Sequence, residues 1–269
     1  MFARNKNLPK DITYHERFKV EKKLARTLQG YIYLARDRHD GNKLRVIKET
    51  KIALVKSGKT HDGQPVAENF EEERQILLYL TQQPDVDPGF AQILCHWKTK
   101  KCYYYAMEHC EAELFKHISG AFSKGGTMYN ILVQQKSRPQ VALTSNDAHQ
   151  WLAEVRSIFR QCVKTVYWMH EKGVCHLDLS LENTMIYKVK GLKIKIIDFG
   201  LGKFYDYNNP AKPKDALFQN DKKVGKRGYM APEVFNKQIY DARKADIWSL
   251  GMFFMDFWRT GSLTDFKCF

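Results

Sequence analysis

Before Cys110 the chain is built of short alternating apolar runs separated by turn residues; after Ala112 a longer, helical periodicity takes over. A period of two can bury one face only as a strand, and a period near 3.6 only as a helix. Residues 18–25 and 31–36 read as strands around a turn ending in Gly30. Residues 44–49 follow a hairpin signal at Asp40-Gly41-Asn42. A polar, glycine-containing stretch at 57–65 leads into a helical pattern over 67–81, with Phe70, Leu77, Leu78 and Leu80 apolar and Glu71, Glu72 and Glu73 near its start. Residues 93–97 and 103–108 read as a further hairpin. Then come a short helix at 113–118, a polar loop through 119–146 and a long amphipathic helix over 147–170 with Asp147 as its N-cap. Ile158, Cys162, Val166 and Met169 form the stripe of that helix. Strand-like runs follow at 184–187 and 192–197, and residues 240–259 read as a buried helix.

Composition narrows the class. Hydrophobic residues make up 43% and aromatics 13% of 269 residues, enough for a sizeable core in one large domain or two lobes. The formal net charge of +14 fits an anionic partner or simply a solvated basic surface. Six cysteines, at 95, 102, 110, 162, 175 and 268, contain no C-x-x-C pair and no zinc spacing, so reduced thiols and a cytoplasmic location are expected, with export or the nucleus left open. Residues 1–10 are polar and basic rather than secretory in pattern, and Phe2 excludes a myristoylation signal. No apolar run reaches the roughly 18 residues that a membrane span needs.

Four motifs stand in order along the second part. Asp198-Phe199-Gly200 ends an apolar run, which places a carboxylate at a strand end. Upstream lies His176-Leu177-Asp178-Leu179-Ser180-Leu181-Glu182-Asn183. Downstream lie Ala231-Pro232-Glu233 and Asp246-Ile247-Trp248-Ser249-Leu250-Gly251. Any one tripeptide occurs by chance, but four in order do not. Phosphoryl transfer needs metals on the phosphates, a cation on the α/β oxygens and a carboxylate at the acceptor hydroxyl. From about Phe18 onward the chain resembles the eukaryotic protein kinase family.

That resemblance implies an α+β, two-lobed protein-kinase-like fold: a small antiparallel β lobe with one helix, and a mainly helical large lobe. The division it implies is an N-terminal extension over 1–17, a small lobe over 18–109 and a large lobe over 110–269 with an insertion at 119–146. It implies ATP and Mg²⁺ as cofactors and a protein as substrate. Lys48, in Val46-Ile47-Lys48, matches the lysine of the α/β-phosphates, with Glu73 as its ion-pair partner, although Glu71 and Glu72 are neighbours. Asp178 matches the carboxylate that orients the acceptor, and Asn183 and Asp198 the metal ligands. Ala25, Gly30, Ile32, Val46, Met107, Glu108, Cys110 and Met185 fall at nucleotide-binding positions, with Met107 lining the pocket and the backbones of Glu108 and Cys110 reading adenine. Glu113 stands near the ribose or a basic substrate side chain, or is a plain helix-surface carboxylate.

Departures from the family pattern are as informative. In Ala25-Arg26-Thr27-Leu28-Gln29-Gly30-Tyr31-Ile32 only the last loop glycine remains, so weaker ATP affinity is expected. Ser180 stands where serine/threonine kinases keep a lysine, and Lys226 where they keep a threonine. The expectation is an exchange, in which Lys226 supplies the missing cation with Ser180 as its hydrogen-bond neighbour. Leu177 replaces the arginine that pairs with an activation-loop phosphate, and residues 201–229 contain no Ser or Thr, so activity independent of such phosphorylation is expected; Tyr205 and Tyr207 remain acceptors. The chain ends at Phe269, before the helices with which family members continue, which reads as a fragment or truncated product. Val46-Ile47-Lys48-Glu49, the missing glycines and the His-Leu-Asp-Leu-Ser stretch resemble the apicomplexan FIKK-type group. Ser180 and Glu182 fit Ser/Thr better than Tyr specificity. The alternatives are a pseudokinase or scaffold, and a basic nucleic-acid binder, which would explain the charge but not the motif order.

Overall fold

The computed structural model describes residues 14–122, 146–188, 190–205, 217–218 and 224–259. The chain forms two compact units, Met1–His109 with Asp198–Phe204, and Cys110–Ile197 with Tyr205–Phe269.

In the first unit a short helix α1 (Tyr14–Arg17) leads into strands β1 (Phe18–Arg26), β2 (Gly30–Asp37) and β3 (Lys43–Lys51). Helices α2 (Ile52–Ser57) and α3 (Phe70–Thr81) follow, then β4 (Ile93–Lys98) and β5 (Cys102–Glu108). The strands form one antiparallel sheet in the order β1-β2-β3-β5-β4. The β2–β3 hairpin turns where Gly41 and Asn42 both take positive φ, as the sequence signal implies. On one face Phe18, Ala35, Ile47, Cys95 and Ala106 form a closed cluster, and Phe18, Trp97 and Tyr104 stack their rings. The register puts Ile32, Val46, Lys48, Tyr105 and Met107 on the opposite face. Outermost β1 is exposed beyond Phe18 and carries two register irregularities. Gly30 is forced: a Cβ there would stand 1.8 Å from the Glu49 carbonyl oxygen of β3, so no other residue lets β2 begin at this separation.

Two local details differ from the sequence reading. Helix α2 falls mostly in residues that the sequence left without an element, between the third strand and the polar stretch; Gly58, at φ 62°, closes it by donating to Leu54 and Val55. Helix α3 starts at Phe70 rather than 67, because the Asn69 side chain caps it by accepting from the Glu72 amide. Segment Asp198–Phe204 belongs to this unit, not to the larger one to which sequence order assigns it. Asn69 N donates to Gly200 O at 2.9 Å, Lys203 pairs with Glu72, and the ring of Phe204 meets Tyr79 edge-on.

The second unit contains β6 (Ala112–Glu113), α4 (Leu114–Phe122), α5 (Asn146–Glu171), β7 (Val174–Cys175), β8 (Thr184–Lys188) and β9 (Lys193–Ile196). Helices α6 (Pro232–Phe235) and α7 (Ala242–Arg259) follow. A small sheet runs β6-β8-β9. The core stripe of α5 is Trp151, Val155, Ile158, Cys162, Val166 and Met169, all buried. This helix begins one residue before Asp147, which therefore lies inside it rather than at its cap. Helix α4 takes the first residues of the expected 119–146 insertion and Asn146 opens α5; residues 123–145 fall outside the described residues. The expectation of a buried helix at 240–259 holds for one face only. Ala245, Asp246, Ser249, Leu250 and Phe253 are buried, whereas Ile247, Trp248 and Met255 are exposed. The five described cysteines are reduced, and no helix among the described residues is long and apolar enough to cross a membrane.

Candidate active site

Each unit carries its own cluster of charged residues. In the first, β3 presents Lys48 and α3 presents Glu73. The Lys48 Nζ lies 2.7 and 2.8 Å from the two Glu73 oxygens and 3.6 Å from Asp198 Oδ1. Both members of the pair are buried. Of the three adjacent carboxylates, Glu71 pairs with Arg74 and Glu72 with Lys203, so Glu73 is the one on Lys48. Burial opposes the Lys48 ammonium, but Glu73, then Tyr105 and Asp198, outweigh it and hold the group well above the ordinary lysine range. Sequence reasoning missed Tyr105, whose hydroxyl donates to Glu73 Oε1 at 2.7 Å. Burial and then Glu73 push its phenol well above the usual value, so it remains a donor. The signal was available: Tyr105 faces Lys48 directly across β3 and β5.

Asp198 has φ 65°, in the left-handed region, with a side chain 41% exposed. Asp tolerates that region better than most residues, at a cost of roughly 1–3 kcal/mol that the surroundings must hold. They do so next door: Phe199 is fully buried, edge-on to Phe90 at 6.1 Å. Of the other positions in this unit that the family resemblance assigns to nucleotide, Ala25 is exposed on β1, and Ile32, Val46 and Met107 are half-buried on the Lys48 face. The Glu108 side chain is buried and accepts from Gln92 N at 3.2 Å.

In the second unit the loop after β7 carries Asp178 and Asn183. Asn183 Nδ2 donates to Asp178 Oδ2 at 2.7 Å and to Asp178 O at 2.8 Å, and the Lys226 amide donates to Asp178 Oδ1 at 3.0 Å. Two donors thus fix the carboxylate plane. His176 Nδ1 accepts from Asp178 N, so its Nε2 carries the proton that goes to Ile197 O at 3.1 Å. Leu177 has φ 62°, and buried Asp246 holds it there by accepting from Leu177 N at 2.7 Å and His176 N at 2.9 Å, while His170 Nε2 lies 2.9 Å away. Gly225, at φ 97°, lets the 224–226 backbone reach this loop: a Cβ would meet Leu177 O at 2.8 Å. His170, Cys175 and Asp246 gather within 4.8 Å. Asp246 already accepts backbone donors on both oxygens and burial pushes the Cys175 thiol far up, so the trio reads as a support for the loop.

The expected bond between Lys226 and Ser180 is not the one the fold makes. The Lys226 ammonium pairs with Glu182, while buried Ser180 Oγ accepts from Asn183 N at 3.3 Å. At this loop Lys226 therefore meets Asp178 through its backbone. Glu113, at the end of β6, pairs with the exposed Lys116 of α4; its strand partner Met185 is half-buried, and Cys110 is buried. Tyr205 donates its hydroxyl to His170 O beneath the Arg243 guanidinium, so modification there would first break that bond; Tyr207 lies outside the described residues.

A lysine–glutamate pair beside an Asp-Phe-Gly turn in one unit, and a carboxylate fixed by an asparagine five residues on in the other, are features of the protein kinase class. The family profile described as the protein kinase domain matches residues 18–263, and the chain belongs to that family. Among curated proteins it is similar to CBL-interacting serine/threonine-protein kinase 15 of Arabidopsis thaliana, at 29% identity over 88% of this chain and 45% of that one. It is also similar to CBL-interacting serine/threonine-protein kinase 2 of the same plant (25%, covering 97% and 50%) and CBL-interacting protein kinase 28 of Oryza sativa subsp. japonica (25%, covering 88% and 44%). The chain thus spans about half the length of the curated relatives it matches. These plant kinases do not bear on the FIKK-type likeness.

Proposed function

We propose that this chain carries out serine/threonine protein phosphorylation, moving the γ-phosphate of Mg-ATP to a protein hydroxyl. The observation that carries the reading is the buried Lys48–Glu73 pair with Asp198 3.6 Å from the same ammonium. Lys48 supplies a fixed charge for the α/β-phosphate oxygens. Asp178, its plane set by Asn183 and Lys226 N, accepts or orients the acceptor proton as the new oxygen–phosphorus bond forms and the bond to the ADP oxygen breaks. Asp198 in the first unit and Asn183 in the second each offer the kind of oxygen that a hard divalent cation takes: one is a carboxylate, and the other uses its Nδ2 on Asp178, leaving its oxygen as acceptor. When bound, Mg²⁺ offsets the phosphate charge. The two Arabidopsis thaliana relatives named above are serine/threonine kinases by name, which supports the same acceptor class.

The test is Mg-dependent ATP turnover on a Ser/Thr peptide library. The chain should phosphorylate members of it, and Asp198→Ala should remove the activity. Nucleotide binding without turnover would favour the binding-only alternative, which the loss of loop glycines at Ala25 and Thr27 motivates.

Lys226 enters this reading as the mobile cation. Its pair with Glu182 is solvent-exposed, 43% and 40%, and therefore weak enough to exchange for a phosphate oxygen. Lys226→Thr should lower kcat by about 10- to 100-fold with ATP KM little changed. Adding Ser180→Lys should recover part of that loss, limited by burial at 180. Full activity in Lys226→Thr and in Ser180→Lys alone would remove the exchange idea.

A further inference from the structure

The β1–β2 turn, which in the resemblance covers nucleotide phosphates, is short of glycine yet tightly tethered. The Gln29 side chain is buried, and its Nε2 donates to Leu54 O at 3.0 Å and Lys59 O at 3.1 Å. The Gln29 carbonyl accepts from Lys51 N at 3.0 Å, Leu28 O accepts from His61 N at 3.1 Å, and Thr27 N closes the turn on Gly30 O at 3.0 Å. The receiving surface is itself ordered: α2 ends in its Gly58 cap, and a bridge joins Lys59 to Pro65. Both amide protons of Gln29 are used. Neither Glu, which has no donor, nor Ala can replace it.

We propose that Gln29 is a positioning residue which latches the β1–β2 turn to the 54–61 segment, presetting a cover for the phosphates of a nucleoside triphosphate; this rests on the nucleotide-binding reading above. Glycine loops purchase close approach with disorder. Here Ala25, Thr27 and Leu28 lower the entropy lost on fixing the turn, and the latch holds it in one place. The expected weakness of ATP binding from missing glycines is thus partly offset by preorganisation.

The test compares the whole chain with Gln29→Glu, Gln29→Ala, Lys48→Met and an exposed-pair control away from the turn, Lys43→Ala, by amide hydrogen exchange and Mg-ATP titration. Both Gln29 variants should speed exchange at Lys51 and His61 by at least tenfold and raise the Mg-ATP Kd about 5- to 20-fold, with kcat within twofold at saturation. Lys43→Ala should do neither. Exchange unchanged in both Gln29 variants overturns the latch. Faster exchange with an unchanged Kd overturns its positioning role. Lys48→Met should weaken transfer while leaving exchange at His61 as it was. If the unaltered chain binds no Mg-ATP, the nucleotide reading falls and the cover role falls with it, and the exchange data alone decide whether the tether exists.

Discussion

Replacing Asp178 with asparagine should lower kcat by roughly 10²- to 10⁴-fold, the range expected when a positioned acid–base group is removed, and should leave Mg-ATP affinity within a few-fold. The size follows from what the carboxylate faces. One oxygen accepts from Asn183 Nδ2 and the other from Lys226 N, so each lobe of charge is already aimed. An amide must turn its NH2 toward one of these donors. It therefore loses the proton acceptor and the orientation together. Affinity survives because the Lys48–Glu73–Asp198 cluster is built on other elements. Steady-state phosphorylation of a Ser/Thr peptide beside fluorescent nucleotide binding makes the measurement. Full transfer by the asparagine variant would remove Asp178 from its assigned role.

Asp246→Ala should unfold the catalytic loop without touching any reacting group. It strips acceptors from His176 N and Leu177 N and takes away the neighbour of His170 Nε2. Each buried donor left unsatisfied costs about 1–3 kcal/mol, and the left-handed conformation of Leu177 loses its restraint. At about 2–4 °C per kcal/mol for chains of this size, the midpoint of thermal unfolding should fall by roughly 5–15 °C. Activity measured well below that midpoint should fall as well. Asp246→Asn keeps one acceptor oxygen and should land between the two. A melting curve for the alanine variant that overlays the parent would show that the loop is held by something else.

The kinase pattern was legible because its parts are local: Asp178 and Asn183 are five residues apart, and Asp198 ends a strand. The sheet was legible for the same reason, as alternation and the Asp40-Gly41-Asn42 turn belong to single segments. What the sequence hid depends on tertiary partners. Tyr105 looks like any strand aromatic until β5 is set beside β3 and its hydroxyl meets Glu73. The Lys226–Glu182 pair is invisible because 44 positions of sequence separate charges that only the fold brings together. Helix α2 was missed because Ile52-Ala53-Leu54-Val55 suits a strand, and only the Gly58 cap and the partners of Leu54 O settle it as helix. Asp198–Phe204 joined the smaller unit through Asn69 and Glu72, which sequence order cannot show.

The outermost strand β1 has a bearing on how the protein behaves in concentrated solution. Lys19, Lys22, Lys23 and Arg26 line an exposed edge whose pairing slips at two places. A straight, uncharged edge would offer its amides to a second chain and seed growing fibrils; repelling charges and an uneven register deny that template. Part of the +14 charge therefore guards colloidal stability rather than recognising a partner, and acetylating those lysines would trade solubility for edge-to-edge association.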